Sequence, residues 1–130
     1  MFGFNRKKKI LKDSNWRKLE KEIENHKVLD GYTVKTQKSS RRTRERPDVF
    51  GINPKNNRDR IIVDAKCVKE VTSSHIKQVK GYKKTFFAKK GVIVASSDSK
   101  ITNQTRREAK DANIKIVRGK TKRKKNFLGF

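Results

Sequence analysis

The chain has 130 residues, with 37 Lys and Arg against 13 Asp and Glu, a formal net charge of +24. That length fits one small domain, and such a charge requires a polyanionic partner: nucleic acid ahead of an anionic membrane, because no lipidation motif or long amphipathic helix accompanies it. A single cysteine, Cys67, excludes an intrachain disulfide and a four-cysteine zinc or iron–sulfur site, no apolar run reaches transmembrane length, and no Gly-rich phosphate loop is present.

The lone cysteine suits a reducing, intracellular setting: cytoplasm or nucleoid, or a host cell for a viral protein. Hydrophobic residues are 32% of the chain but cluster at 61–63, 86–88, 92–95 and 114–117, enough for a compact core. Residues 1–12 carry Phe2, Phe4 and the run Arg6 to Lys9, and read as a basic arm. A folded domain is expected over 13–117.

Asp13 or Ser14 caps a predicted helix to about Lys27, with Trp16, Leu19 and Ile23 on one stripe at helical spacing. Glu20 lies at the edge of that stripe; a sheet-facing acid and a solvated charge paired one turn away both fit it. Gly31 breaks the helix, and residues 32–36 read as a first strand. Lys38, Arg41, Arg42, Arg44 and Arg46, with one acid among them, form a loop suited to clamping a DNA backbone.

Residues 48–52 and 60–68 read as the next two strands, joined by an Asn/Pro/Asp-rich turn at 53–59. If Ile52 pairs with Arg60, antiparallel counting places Asp48 opposite Asp64, with Cβ atoms ~5 Å apart. Period two puts Asp64 and Lys66 on the face of Ile62, and Ile61, Val63, Ala65 and Cys67 on the other. The residues alone leave two readings open. The acids and the amine form a divalent-metal site for cutting a polyphosphate backbone, or Asp64 and Lys66 form a salt bridge on a solvated face while Asp48 caps a turn.

Ser73 or Ser74 caps a second helix over about 75–88, with Ile76, Val79, Tyr82 and Phe86 inward. Residues 91–96 read as a buried strand, Thr102 caps a third helix over 103–112, and 114–117 form a fifth strand. Residues 118–130 read as a basic tail, with Lys122, Arg123 and Lys124 as further phosphate contacts. His26 and His75 have no partner at ligand spacing and read as exposed helix residues.

The order helix, three strands, helix, strand, helix, strand, with Pro47-Asp48 and Asp64-Ala65-Lys66, resembles the PD-(D/E)xK or restriction-endonuclease-like nucleases. Gln78 and Tyr82 match the spacing of the Gln-x-x-x-Tyr motif of the RecB-like branch. Residues 91–117 look like the distal half of Mrr-like domains, and Glu20 resembles the first-helix acid of Mrr-like enzymes and archaeal Holliday-junction resolvases.

The resemblance implies an α/β fold: a three-layer sandwich around a central mixed β-sheet, an αβββαβ core plus a further helix and strand. It implies a metal-dependent DNA endonuclease, structure-selective or restriction-like. Asp48, Asp64 and the Ala65 carbonyl would be ligands for Mg²⁺, with Mn²⁺ as a substitute. Glu20 would hold a metal through water or complete a second site, Lys66 would orient the attacking water, and Gln78 and Tyr82 would support the site or contact the DNA backbone. A homodimer is expected where both strands are cut. The other reading is a nucleic-acid-binding protein that keeps the fold without catalysis.

Overall fold

The computed structural model describes residues 15–36 and 47–123. Helix α1 covers residues 15–24, and a single 3₁₀ turn, Lys27–Leu29, follows. Gly31 takes a positive φ of 88°, open to glycine without strain, and turns the chain into β1 (Thr33–Thr36). The hairpin β2 (Val49–Asn53) and β3 (Asn56–Lys66) comes next. Then follow β4 (Glu70–Val71), α2 (Ser73–Thr85), β5 (Lys90–Ala95), β6 (Lys100–Ile101), α3 (Asn103–Asp111) and β7 (Ile114–Arg118).

The main sheet has the order β1-β2-β3-β5-β7. Its first two pairings are antiparallel and its last two parallel, so the sheet is mixed as expected. Strand β3 is the longest and occupies the centre. Its residues alternate between two apolar clusters. Ile61, Val63 and Ala65 pack with Leu19, Ile23, Val49, Val92 and Val94 under α1. Ile62 packs with Phe50, Ile76, Val79, Tyr82, Ile93, Ala109 and Ile114 under α2 and α3. A helix on one face and two on the other make the three-layer sandwich. Each fully buried Leu, Ile or Val contributes ~1.5–3 kcal/mol.

Several local expectations change. The β2–β3 turn is two residues, Pro54 and Lys55, because a bulge between Ile52 and Asn53 lets β3 begin at Asn56. Asn53 Oδ1 accepts the Lys55 N–H at 2.9 Å and closes that turn locally. The N-cap of α2 is Thr72, whose backbone N–H donates to His75 Nδ1 at 2.9 Å. The same helix stops at Thr85, not Ala88. Ala88 N–H reaches back to the Lys83 carbonyl at 2.8 Å while Phe87 takes φ 55°, a C-terminal cap normally given to glycine. Trp16 leaves the apolar stripe altogether. It is 37% exposed, whereas Leu19 and Ile23 are fully buried.

The stretch expected to open a free tail is part of the fold as far as Arg123. Arg118 ends β7, and Gly119 N–H donates to the Ala95 carbonyl at 2.7 Å. The Glu22 carboxylate on α1 accepts the backbone N–H groups of Lys120 (2.7 Å) and Thr121 (3.2 Å) and the Thr121 hydroxyl (3.0 Å). A Cβ at Gly119 would fall 2.9 Å from Leu19 Cδ1 and 3.0 Å from a Glu22 oxygen, so a larger residue here would have to push those side chains aside. The basic arm over 1–12 lies outside the described residues. No helix among the described residues is long and apolar enough to cross a membrane.

Candidate active site

The parallel strands β3 and β5 end side by side, and β2 begins beside the end of β3, so the chain's chemical groups gather at one edge of the sheet. Ligands in open α/β sheets collect at such carboxyl ends. The hairpin register runs Ile52↔Arg60, Gly51↔Ile61, Phe50↔Ile62 and Val49↔Val63. One more step sets Asp48 against Asp64, on the face carrying Phe50 and Ile62. Pro47 is fully buried and anchors the chain as it enters β2.

The two acids hold each other's backbone. Asp48 N–H donates to Asp64 Oδ1 at 3.2 Å, and Ala65 N–H donates to Asp48 Oδ2 at 2.8 Å. Asp64 and Lys66 are both buried, 4% and 6% exposed, so this is no solvated surface pair. Lys66 Nζ lies 2.9 Å from Asp64 Oδ2 and also donates to Gln78 Oε1 on α2. The chain beyond Lys66 is pinned: Ser96 N–H meets the Lys66 carbonyl at 3.1 Å, and Ser99 Oγ donates to the Val68 carbonyl at 2.5 Å.

Burial and the neighbouring Asp64 carboxylate push the Asp48 carboxyl up to about 9, with Glu20 adding to the rise and the Ala65 N–H opposing it. Without a cation, burial and repulsion therefore favour a proton on the Asp48–Asp64 pair. Two carboxylates that repel this strongly, in a buried setting of hard oxygen donors, suit a divalent cation, which would relieve the repulsion. Among the described residues, no three His, Cys, Asp or Glu side chains form a single cluster. Asp48 and Asp64 make a pair, and Glu20 stands outside it. Its charge is felt at Asp48, but its Oε2 accepts the Trp16 Nε1–H at 2.7 Å.

The other expected residues divide. Gln78 faces the pair through Lys66. Tyr82, one turn further along α2, is buried in the apolar cluster with Phe50 and Ile62. Lys38, Arg41, Arg42, Arg44, Arg46 and Lys124 lie outside the described residues. Lys122 is exposed, and its carbonyl accepts the Asn15 side-chain N–H at 3.2 Å. Arg123 N–H donates to Asp98 Oδ1 at 2.8 Å.

His75, expected to be an exposed helix residue, is half-buried beside this group. Burial, and then the Lys66 charge, hold its imidazole below the ordinary value, while Asp64 opposes them. The spacing from an N-cap Thr to an acceptor three residues on was the signal for its capping role.

A restriction endonuclease family model (Mrr_cat) matches residues 11–122. No curated protein and no solved structure matches the chain. The match spans nearly the whole sequence, including α1, the Asp48–Asp64 hairpin and the β5-α3-β7 half, and so the chain belongs to the restriction endonuclease family, nucleases of the PD-(D/E)xK type that generally use divalent metal ions.

Proposed function

We propose that this protein is a Mg²⁺-dependent DNA endonuclease that hydrolyses phosphodiester bonds at the Asp48–Asp64–Lys66 edge of the sheet. The observation that carries this reading is the hairpin register, which sets two acids face to face with a buried lysine one step along the same face. Asp48, Asp64 and the Ala65 carbonyl would hold the ion. When bound, the ion supplies a polarised phosphate and an acidic water. Lys66 orients the attacking water and offsets charge growing on the phosphate.

Gln78 keeps the Lys66 amine pointed along the pair. Glu20, held by Trp16, biases the mouth of the site toward cations, and Tyr82 braces α2 from within the core. The phosphate backbone is gripped by Lys38, Arg41, Arg42, Arg44 and Arg46 and by Lys122, Arg123 and Lys124, which bind polyanion without reading bases. Two copies acting together would cut both strands of a duplex.

The test incubates the full chain with supercoiled, linear, branched and single-stranded DNA in Mg²⁺, Mn²⁺ or EDTA, beside Asp64→Ala and Lys66→Ala. Metal-dependent cleavage, lost in both variants while binding persists, is the expected result. Binding without cleavage of any substrate would leave a non-catalytic nucleic-acid-binding protein, and cleavage in EDTA would remove the metal from the mechanism.

A further inference from the structure

Trp16 is the chain's sole tryptophan, and it is exposed on the first turn of α1. Tryptophan joins a large apolar body to a single N–H and is enriched where a surface meets a partner. Its one polar atom is already committed: Nε1–H donates to Glu20 Oε2 at 2.7 Å, one helical turn away. That bond holds the edge of the ring, and more than a third of the residue stays open to solvent. The place follows from packing: Leu19, between Trp16 and Glu20 on the same helix, sits in one cluster with Val49 and Ala65, the neighbours of Asp48 and Asp64, so α1 carries the indole on the strands that hold the cutting site.

Glu20 aside, the exposed side chains next to it on the helix are cationic. Arg17, Lys18 and Lys21 on the same helix are exposed, and so is Lys122, whose carbonyl is tied to Asn15, the residue before Trp16. A held aromatic face among cations is the pairing that recognises a nucleic-acid strand, with phosphates on the cations and a base on the ring.

Accepting the nuclease reading of the neighbouring site, we propose that Trp16 is a stacking platform for an unpaired nucleobase beside the scissile phosphate. Bases inside a duplex already stack on one another and offer no free face. The platform therefore favours substrates with a base outside the stack, at a gap, a branch or a single strand, over continuous duplex.

The single tryptophan makes the test direct. The full unaltered chain, in EDTA to prevent cutting, is titrated with a single-stranded oligonucleotide, the matching blunt duplex and the same duplex with a gap, while tryptophan emission is followed. Stacking quenches the emission with the single-stranded and gapped DNA and much less with the duplex. Trp16→Ala then weakens gapped-DNA binding by about tenfold more than duplex binding, and Trp16→Phe, which keeps a ring, restores most of the difference. Thermal melting of each variant separates this from lost folding, and the unaltered chain gives the emission result regardless.

Emission that stays unchanged at saturating DNA overturns the proposal, as does an equal loss of affinity on all three DNAs. Emission that is blue-shifted before DNA is added, and unresponsive to it, means another part of the chain covers the ring, which also overturns it. Metal-dependent cleavage alongside a silent Trp16 removes the platform and leaves the nuclease reading standing; a chain that neither binds nor cuts DNA overturns both.

Discussion

Asp48 and Asp64 each accept a hydrogen bond from backbone at the other's strand: Ala65 N–H to Asp48 Oδ2 at 2.8 Å, and Asp48 N–H to Asp64 Oδ1 at 3.2 Å. The two carboxyls therefore stay together despite their repulsion. Replacing either by Asn keeps an oxygen acceptor and removes the charge. Asp48→Asn and Asp64→Asn are expected to lower cleavage by ~10²-fold or more, the scale on which preorganised charge acts. DNA affinity should hold within about twofold in a filter-binding assay, because the proposed phosphate contacts lie elsewhere.

The raised Asp48 carboxyl makes stability depend on pH in a defined direction. Between its ordinary value of 3.8 and about 9, the folded protein keeps a proton that the unfolded chain has released. Unfolding free energy therefore falls as pH rises through that window. The melting temperature of the metal-free protein should decline across it, and Asp48→Asn should flatten the decline. Mg²⁺ competes with that proton, so its stabilising effect should grow toward the alkaline end. A melting temperature in EDTA that rises steadily through the window would contradict this account.

Lys66 has two partners, the buried Asp64 and the half-buried Gln78. Gln78→Ala leaves the ion pair in place and removes the neutral brace, at a cost of ~1 kcal/mol in stability. Its kcat is expected to fall by about tenfold as the amine loses its aim. Lys66→Ala strands Asp64 in a buried site, so urea unfolding should show a loss of ~3 kcal/mol on top of lost activity.

Backbone constraints give two stability tests away from the site. Phe87 holds φ 55° and is 77% exposed, so Phe87→Gly should stabilise the protein by ~1 kcal/mol by relieving the left-handed residue. Gly119→Ala places a methyl group against Leu19 and Glu22 and should destabilise it by ~1–3 kcal/mol. Both are read as shifts of the denaturation midpoint at constant slope.

The hairpin and its register from Ile52–Arg60 onward were legible from sequence because period-two apolar residues fix which face each strand buries, although the turn is shorter and bulged. The parallel half was legible from strand–helix alternation. Three features were hidden for separate reasons. Helical spacing assigns Trp16 to the stripe of Leu19 and Ile23, but spacing says nothing of how deeply each member of a stripe is covered. His75 is drawn beside Lys66 by the capping geometry at Thr72, which depends on where α2 begins. The run from Arg118 onward looks like a tail because its side chains are basic, yet its bonds to Glu22 are made by backbone N–H groups that composition does not show. The Gln78 contact came from motif spacing, since nothing in the residues themselves pointed from α2 to Lys66.

Strand β3 is flanked on both sides, by β2 and β5, and covered on both faces by apolar clusters. Its amides should be among the last in the molecule to exchange with deuterium, opening only when the whole domain unfolds. Asp64 and Lys66 ride on that strand, and Asp48 is tied to it through Ala65. The cutting edge thus has no soft hinge of its own: on heating, activity and global structure should be lost in a single step, with no inactive but folded state between them.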